Sequence, residues 1–122
     1  MSCLFQSLSY FLAHKNYGRL RQDICNFLES NQPLVDDLTI KDIAEFEGID
    51  KDTYIQNMRN DNTWGGAPEI KAFCEMYNVI VKVIVKQSGK LIEFKPSDTE
   101  TTKFVVITWS GNHFEPFVIE QN

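Results

Sequence analysis

The sequence is short of the side chains that most often carry chemistry: three cysteines and two histidines in 122 residues. Cys3, Cys25 and Cys74 are odd in number and far apart. They fit neither a disulfide framework nor zinc ligands paired at C-x₂₋₄-C spacing. No metal and no other cofactor is therefore expected, and free thiols in a reducing cytoplasm are the natural reading. There is no apolar run of 18 residues, so no membrane-spanning helix is expected. Met1 leads straight into Ser2, Cys3, Leu4 and Phe5, without the basic start of a secretory signal. Basic excess is missing too. The net charge of −5 argues against nucleic-acid binding, which needs a basic patch, and favours a basic partner. Gly65-Gly66 lacks the spacing of a phosphate-binding loop. No internal repeat or low-complexity stretch is present.

What is there reads as one globular domain over residues 1–122, with 43% hydrophobic and 24% charged residues. Monomer is the default expectation. The first half is helical in pattern. Leu4, Leu8, Phe11 and Leu12 recur at helical spacing after Cys3, which places His14 on the same helix. Leu20, Ile24, Phe27 and Leu28 repeat the pattern until Asn31-Gln32-Pro33 breaks it. Ile40, Ile43 and Ala44 predict a short helix ending near Gly48. Asp50 is placed to cap another that carries Tyr54, Ile55 and Met58. After a loop over 60–66, Ile70, Phe73, Cys74 and Tyr77 mark a further helix, with Pro68 and Glu69 suited to its first turn.

The second half is strand-like. Residues 79–85 are nearly all β-branched, as in a buried central strand. Ser88-Gly89 turns the chain into residues 91–94, and residues 104–109 form a third strand. Ser110-Gly111-Asn112 then turns into residues 113–119, a hairpin signal. Helices first and strands last predict an α+β fold: a small mixed or antiparallel sheet flanked by helices.

Cys3 stands at a helix start, where unpaired N–H groups and the helix dipole favour a thiolate. The backbone there, at Ser2 and Cys3, is placed to hold an oxyanion. The competing reading is a buried cysteine acting as a small hydrophobe. His14 is ~16 Å along the helix axis from Cys3 and out of reach, so it is expected on the surface. His113 follows a glycine turn, and Glu115 shares its strand face and could accept from its ring. An exposed His and Glu on an edge strand is the alternative. Cys25 and Cys74 fall on apolar helix faces and read as structural. Trp64 and Trp109 suit either a core or a cleft wall, and Asp36-Asp37 a solvated loop.

Three blocks resemble the OTU (ovarian tumour) family of cysteine proteases, in family order and across nearly the whole chain. Cys3-Leu4-Phe5-Gln6-Ser7 is similar to the nucleophile block D-G-N-C-L-F-R-S/A. Trp64-Gly65-Gly66-Ala67-Pro68-Glu69-Ile70-Lys71-Ala72-Phe73 is similar to the W-G-x-x-x-E-L-x-A block. Gly111-Asn112-His113-Phe114-Glu115 is similar to the histidine block H-Y/F-D/N. The resemblance implies a papain-like fold and a thiol deubiquitinase. Cys3 would be the nucleophile, His113 the base and Glu115 its orienter, with a longer side chain than the family's usual aspartate or asparagine. Ubiquitin, polyubiquitin or a ubiquitin-like protein would be the partner, and its tail would lie in a cleft formed by Trp64, Trp109, Asn112 and Phe114. The family carries an aspartate three residues before the cysteine, whereas here only Met1 and Ser2 precede it. Either further residues precede Met1, or a free α-amine stands in for the missing loop, or the chain is a ubiquitin-binding module with weak or no activity. The compact size also resembles virus-encoded members, which act in the host cytoplasm.

Overall fold

A computed structural model describes residues 2–118. Five helices precede four strands: α1 (Cys3–Ser9), α2 (Tyr17–Glu29), α3 (Ile40–Phe46), α4 (Lys51–Met58), α5 (Ala67–Tyr77), β1 (Ile80–Val85), β2 (Leu91–Phe94), β3 (Phe104–Trp109) and β4 (Phe114–Pro116). Three helix starts are made by short polar side chains. Asn16 Oδ1 accepts from the Arg19 N–H at 3.0 Å, and Asp50 Oδ1 from the Thr53 N–H at 2.7 Å. Thr39 and Asp42 form a reciprocal capping box. Each cap satisfies backbone donors that would otherwise be orphaned.

The sheet order is β2-β1-β3-β4. β1 pairs with β2 antiparallel and with β3 parallel, and β3 pairs with β4 antiparallel. β1 is an inner strand, as its β-branched run predicts. Val81 and Val83 of β1 and Ile107 of β3 are buried against the helices. The core joins Leu4, Phe5 and Leu8 of α1, Leu20, Ile24 and Leu28 of α2, and Ile70 and Phe73 of α5 to that sheet face.

Two expectations need correction. The first helix ends at Ser9, so His14 does not share it with Cys3. Phe11 and Leu12 N–H groups reach back only three residues, to Leu8 and Ser9 carbonyls, the tighter bonding of a terminating turn. Both side chains still pack on the core, which is why the apolar spacing outlasts the helix. His14 is exposed, and its Nδ1 accepts from the Asn16 N–H at 3.0 Å. The last strand is likewise short, ending at Pro116, with the Phe117 N–H making a last bond to the Val106 carbonyl at 2.9 Å. His113 therefore lies in the turn before β4, and Ile119, expected in that strand, is outside the described residues.

Candidate active site

Cys3 is the first residue of α1 and is 7% exposed. Its carbonyl accepts from Ser7 Oγ at 2.7 Å, and the Ser2 carbonyl accepts the Gln6 N–H at 2.8 Å, so the helix is bonded from its first turn. α1 packs against β4. The residues just past α1, Tyr10 and Phe11, share a small cavity with Phe117 and Val118, just past β4. α1 begins at Cys3, and β4 begins one residue after His113.

The turn that presents His113 is firmly built. The Ser110 N–H donates to the His113 carbonyl at 3.0 Å, and Ser110 Oγ to Asn112 Oδ1 at 3.1 Å. Gln87 Nε2 donates to the Ser110 carbonyl. Gly111 has φ +101°, the left-handed region that favours glycine. His113 Nε2 lies 3.5 Å from Glu115 Oε1, and Lys86 Nζ lies 3.5 Å from Glu115 Oε2. With Nε2 toward the carboxylate, Nδ1 is the ring nitrogen left for a proton transfer partner.

Trp64, Trp109, Asn112 and Phe114 line one cavity of about 490 Å³. Its walls come from the loop before α5, the ends of β1 and β2, and the β3–β4 turn. The Trp109 and Phe114 rings lie 6.2 Å apart, cross-strand partners at the hairpin. Trp64 is 50% exposed, a wall residue rather than core. The next residue ties the cavity to Cys3's helix: a Cβ on Gly65 would lie 2.7 Å from Leu4 Cδ2 and 3.0 Å from Phe5 Cε2. Cys25 and Cys74 are buried, and burial pushes each thiol up to about 11, which leaves both protonated and inert at neutral pH.

The buried charges beside this site were not foreseen as such. Glu69 is 1% exposed; its Oε2 accepts from Tyr54 Oη at 2.7 Å and its Oε1 from the Gly66 N–H at 2.8 Å. Desolvation pushes its carboxyl up to about 7, against those two hydrogen bonds and the field of Arg21. Arg21 is fully buried. The signal for it was present: Arg21, Ile24, Cys25 and Leu28 stand at i, i+3, i+4 and i+7, so the arginine lies on the apolar stripe of α2.

Residues 2–114 match the family model described as OTU-like cysteine protease. Ubiquitin thioesterase OTU1 of Xenopus laevis is 27% identical over 120 residues, and that of Danio rerio 26%. Each alignment takes in 94% of this chain and 37% of the relative, so the chain spans little more than a third of their length. Among solved structures, an ovarian tumour domain in complex with ubiquitin aligns with a TM-score of 0.76 at 21% identity, over 94% of this chain and 62% of that one. The Hazara virus OTU bound to ubiquitin aligns at 0.69 and 19%, over 99% and 77%. These likenesses show that the α+β architecture is the papain-like fold of OTU domains.

Proposed function

The chain belongs to the OTU-like cysteine protease family, and on that premise we propose that it is a deubiquitinase with Cys3 as nucleophile, His113 as base and Glu115 as orienter. The observation that supports the reading is the packing of α1, which begins at Cys3, against β4, the strand that His113 precedes and Glu115 lies on. In this mechanism His113 Nδ1 takes the Cys3 proton. The thiolate adds to the carbonyl of the C-terminal glycine of ubiquitin or a ubiquitin-like protein, and backbone N–H groups at Ser2 and Cys3 hold the oxyanion. The C–N bond breaks as His113 returns its proton to the leaving lysine amine. Water then adds to the thioester, giving up a proton to His113, and the thiol departs to leave a free carboxylate.

The cavity lined by Trp64, Trp109, Asn112 and Phe114 would take the extended tail. The segments 36–48 and 91–104 would face the globular body of ubiquitin. Each carries exposed apolar groups: Leu38 and Phe46 in the first, Leu91, Ile92 and Phe104 in the second. The chain works in this reading as a single monomeric domain over 1–122, with neither nucleic acid nor membrane as a partner. Three buried free cysteines suit a cytoplasmic setting, which is the host's if the chain is virus-encoded. Among the described residues no helix is long and apolar enough to cross a membrane. Met1 lies outside the described residues.

A second reading, a ubiquitin-binding module of little or no activity, draws on the burial of Cys3. One experiment separates the two: incubation with ubiquitin bearing a C-terminal electrophile, read by intact mass beside Cys3→Ala. A single adduct on the native chain, absent from the variant, is expected. A folded native chain that forms none refutes the enzyme.

A further inference from the structure

Arg21 is the largest side chain that the fold removes entirely from water. Burying a guanidinium costs several kcal/mol, and a packed hydrophobe at such a position is often as stable or more so. Its partners indicate what the charge is for. Arg21 Nη2 donates to Ser2 Oγ at 3.3 Å and to the Asp61 carbonyl at 3.4 Å. Nη1 donates to the Met58 carbonyl at 2.8 Å, and Nε lies 3.7 Å from Asp61 Oδ1. Ser2 Oγ itself donates to the Asp61 carbonyl at 3.4 Å. The guanidinium carbon stands 4.2 Å from the Phe5 ring centroid. One planar fork therefore grips the residue before Cys3, the end of α4 and the first turn of α1 together. A lysine has neither the fork nor the stacking face.

The Gly65 backbone also lies against Leu4 and Phe5, with no room for a Cβ. Residues 2, 4 and 5 are thus each held by a contact from outside α1, and Cys3 sits between them. We propose that Arg21 is a positioning residue for the nucleophile: by fixing Ser2 and Phe5 it sets the aim of the Cys3 thiol. The inference rests on the proposed role of Cys3. A nucleophile misplaced by 1 Å can lose about a hundredfold in rate, which is a use for a charge that a purely structural core would not retain.

The test compares wild type, Arg21→Lys, Ser2→Ala and the double variant on a fluorogenic C-terminal amide of ubiquitin. Iodoacetamide alkylation of Cys3 and thermal unfolding are followed in parallel. Arg21→Lys should lose tenfold or more in kcat (a fraction of the roughly hundredfold for full misplacement) with KM unchanged. Ser2→Ala should lose about threefold with Tm unchanged, and the double variant should lose less than the product of the single losses, as residues acting through one contact do. Iodoacetamide needs no fixed approach, so its rate should change by less than about twofold across the set. Wild-type kcat in folded Arg21→Lys, or multiplicative losses, overturns the inference. So does a parallel fall of alkylation, kcat and Tm, which marks a structural role alone. If Arg21→Lys does not fold, Ser2→Ala decides: wild-type kcat there overturns the inference. A wild-type chain that neither turns over the amide nor reacts with the electrophilic ubiquitin overturns the proposed function, and this inference with it.

Discussion

Glu69 should make the protein lose stability as pH rises through neutrality. Its carboxyl is raised from 4.5 to about 7 by burial. Between those values the folded chain binds a proton that the unfolded chain has lost, so stability falls with rising pH. The difference of about 2.5 units, at about 1.4 kcal/mol per unit, sets the loss at up to about 3 kcal/mol, complete once pH passes the folded-state value. For a domain of this size that is roughly 10 °C in Tm. Glu69→Gln removes the titration and keeps both partners: the amide oxygen still accepts from the Gly66 N–H, and its NH₂ can donate to Tyr54 Oη, positions now held by the two carboxylate oxygens. Urea unfolding of wild type and variant at pH 5, 6, 7 and 8 provides the assay. Every other side chain is common to both chains, so only the Glu69 contribution survives in the difference. The variant should gain on wild type as pH rises, by up to about 3 kcal/mol at pH 8. Identical pH slopes would refute the reasoning, because Glu69 would then be ionised in the fold at pH 5, stabilised by Arg21 and its hydrogen bonds rather than penalised by burial.

Three further outcomes follow from the site. Glu115→Gln should lower kcat by about tenfold, less than loss of the base itself, with probe binding retained; an unchanged pH–rate profile and kcat would remove Glu115 from the mechanism. Gly65→Ala drives a methyl into Leu4 and Phe5 and should cost about 1–3 kcal/mol by overpacking, read as a lowered urea midpoint, together with slower reaction at Cys3. Trp64→Ala should cost well below the roughly 3–5 kcal/mol of a core tryptophan, because the ring is half exposed; KM for ubiquitin substrates should rise instead, and a large stability loss with unchanged KM would place the ring in the core.

The order and type of the elements were legible because each is locally consistent. Apolar residues at helical spacing mark α2 to α5, and a short polar cap such as Asp50 marks the start of α4. The β-branched run of β1, and the Ser110-Gly111-Asn112 turn before β4, are equally local signals. The three blocks that resemble the OTU family were also readable, since a family motif needs certain residue types at certain spacings, and the family match bears the resemblance out. Other features depend on contacts far apart in sequence. The end of α1 at Ser9 was hidden because Phe11 and Leu12 continue to pack on the core after the helix has stopped. The parallel pairing of β1 with β3 was not decidable, because a strand's own pattern does not encode its neighbour's direction. The buried pair was the least visible. Glu69 reads locally as a first-turn acid, and only its place on the apolar stripe of α2 marks Arg21, yet the fold buries both. Composition and local pattern thus determined which segments form helices and strands and which residues are equipped for chemistry. Only the tertiary structure decided which of them meet, which charges leave water and what their pKa values become, because desolvation and contact are properties of the packed whole.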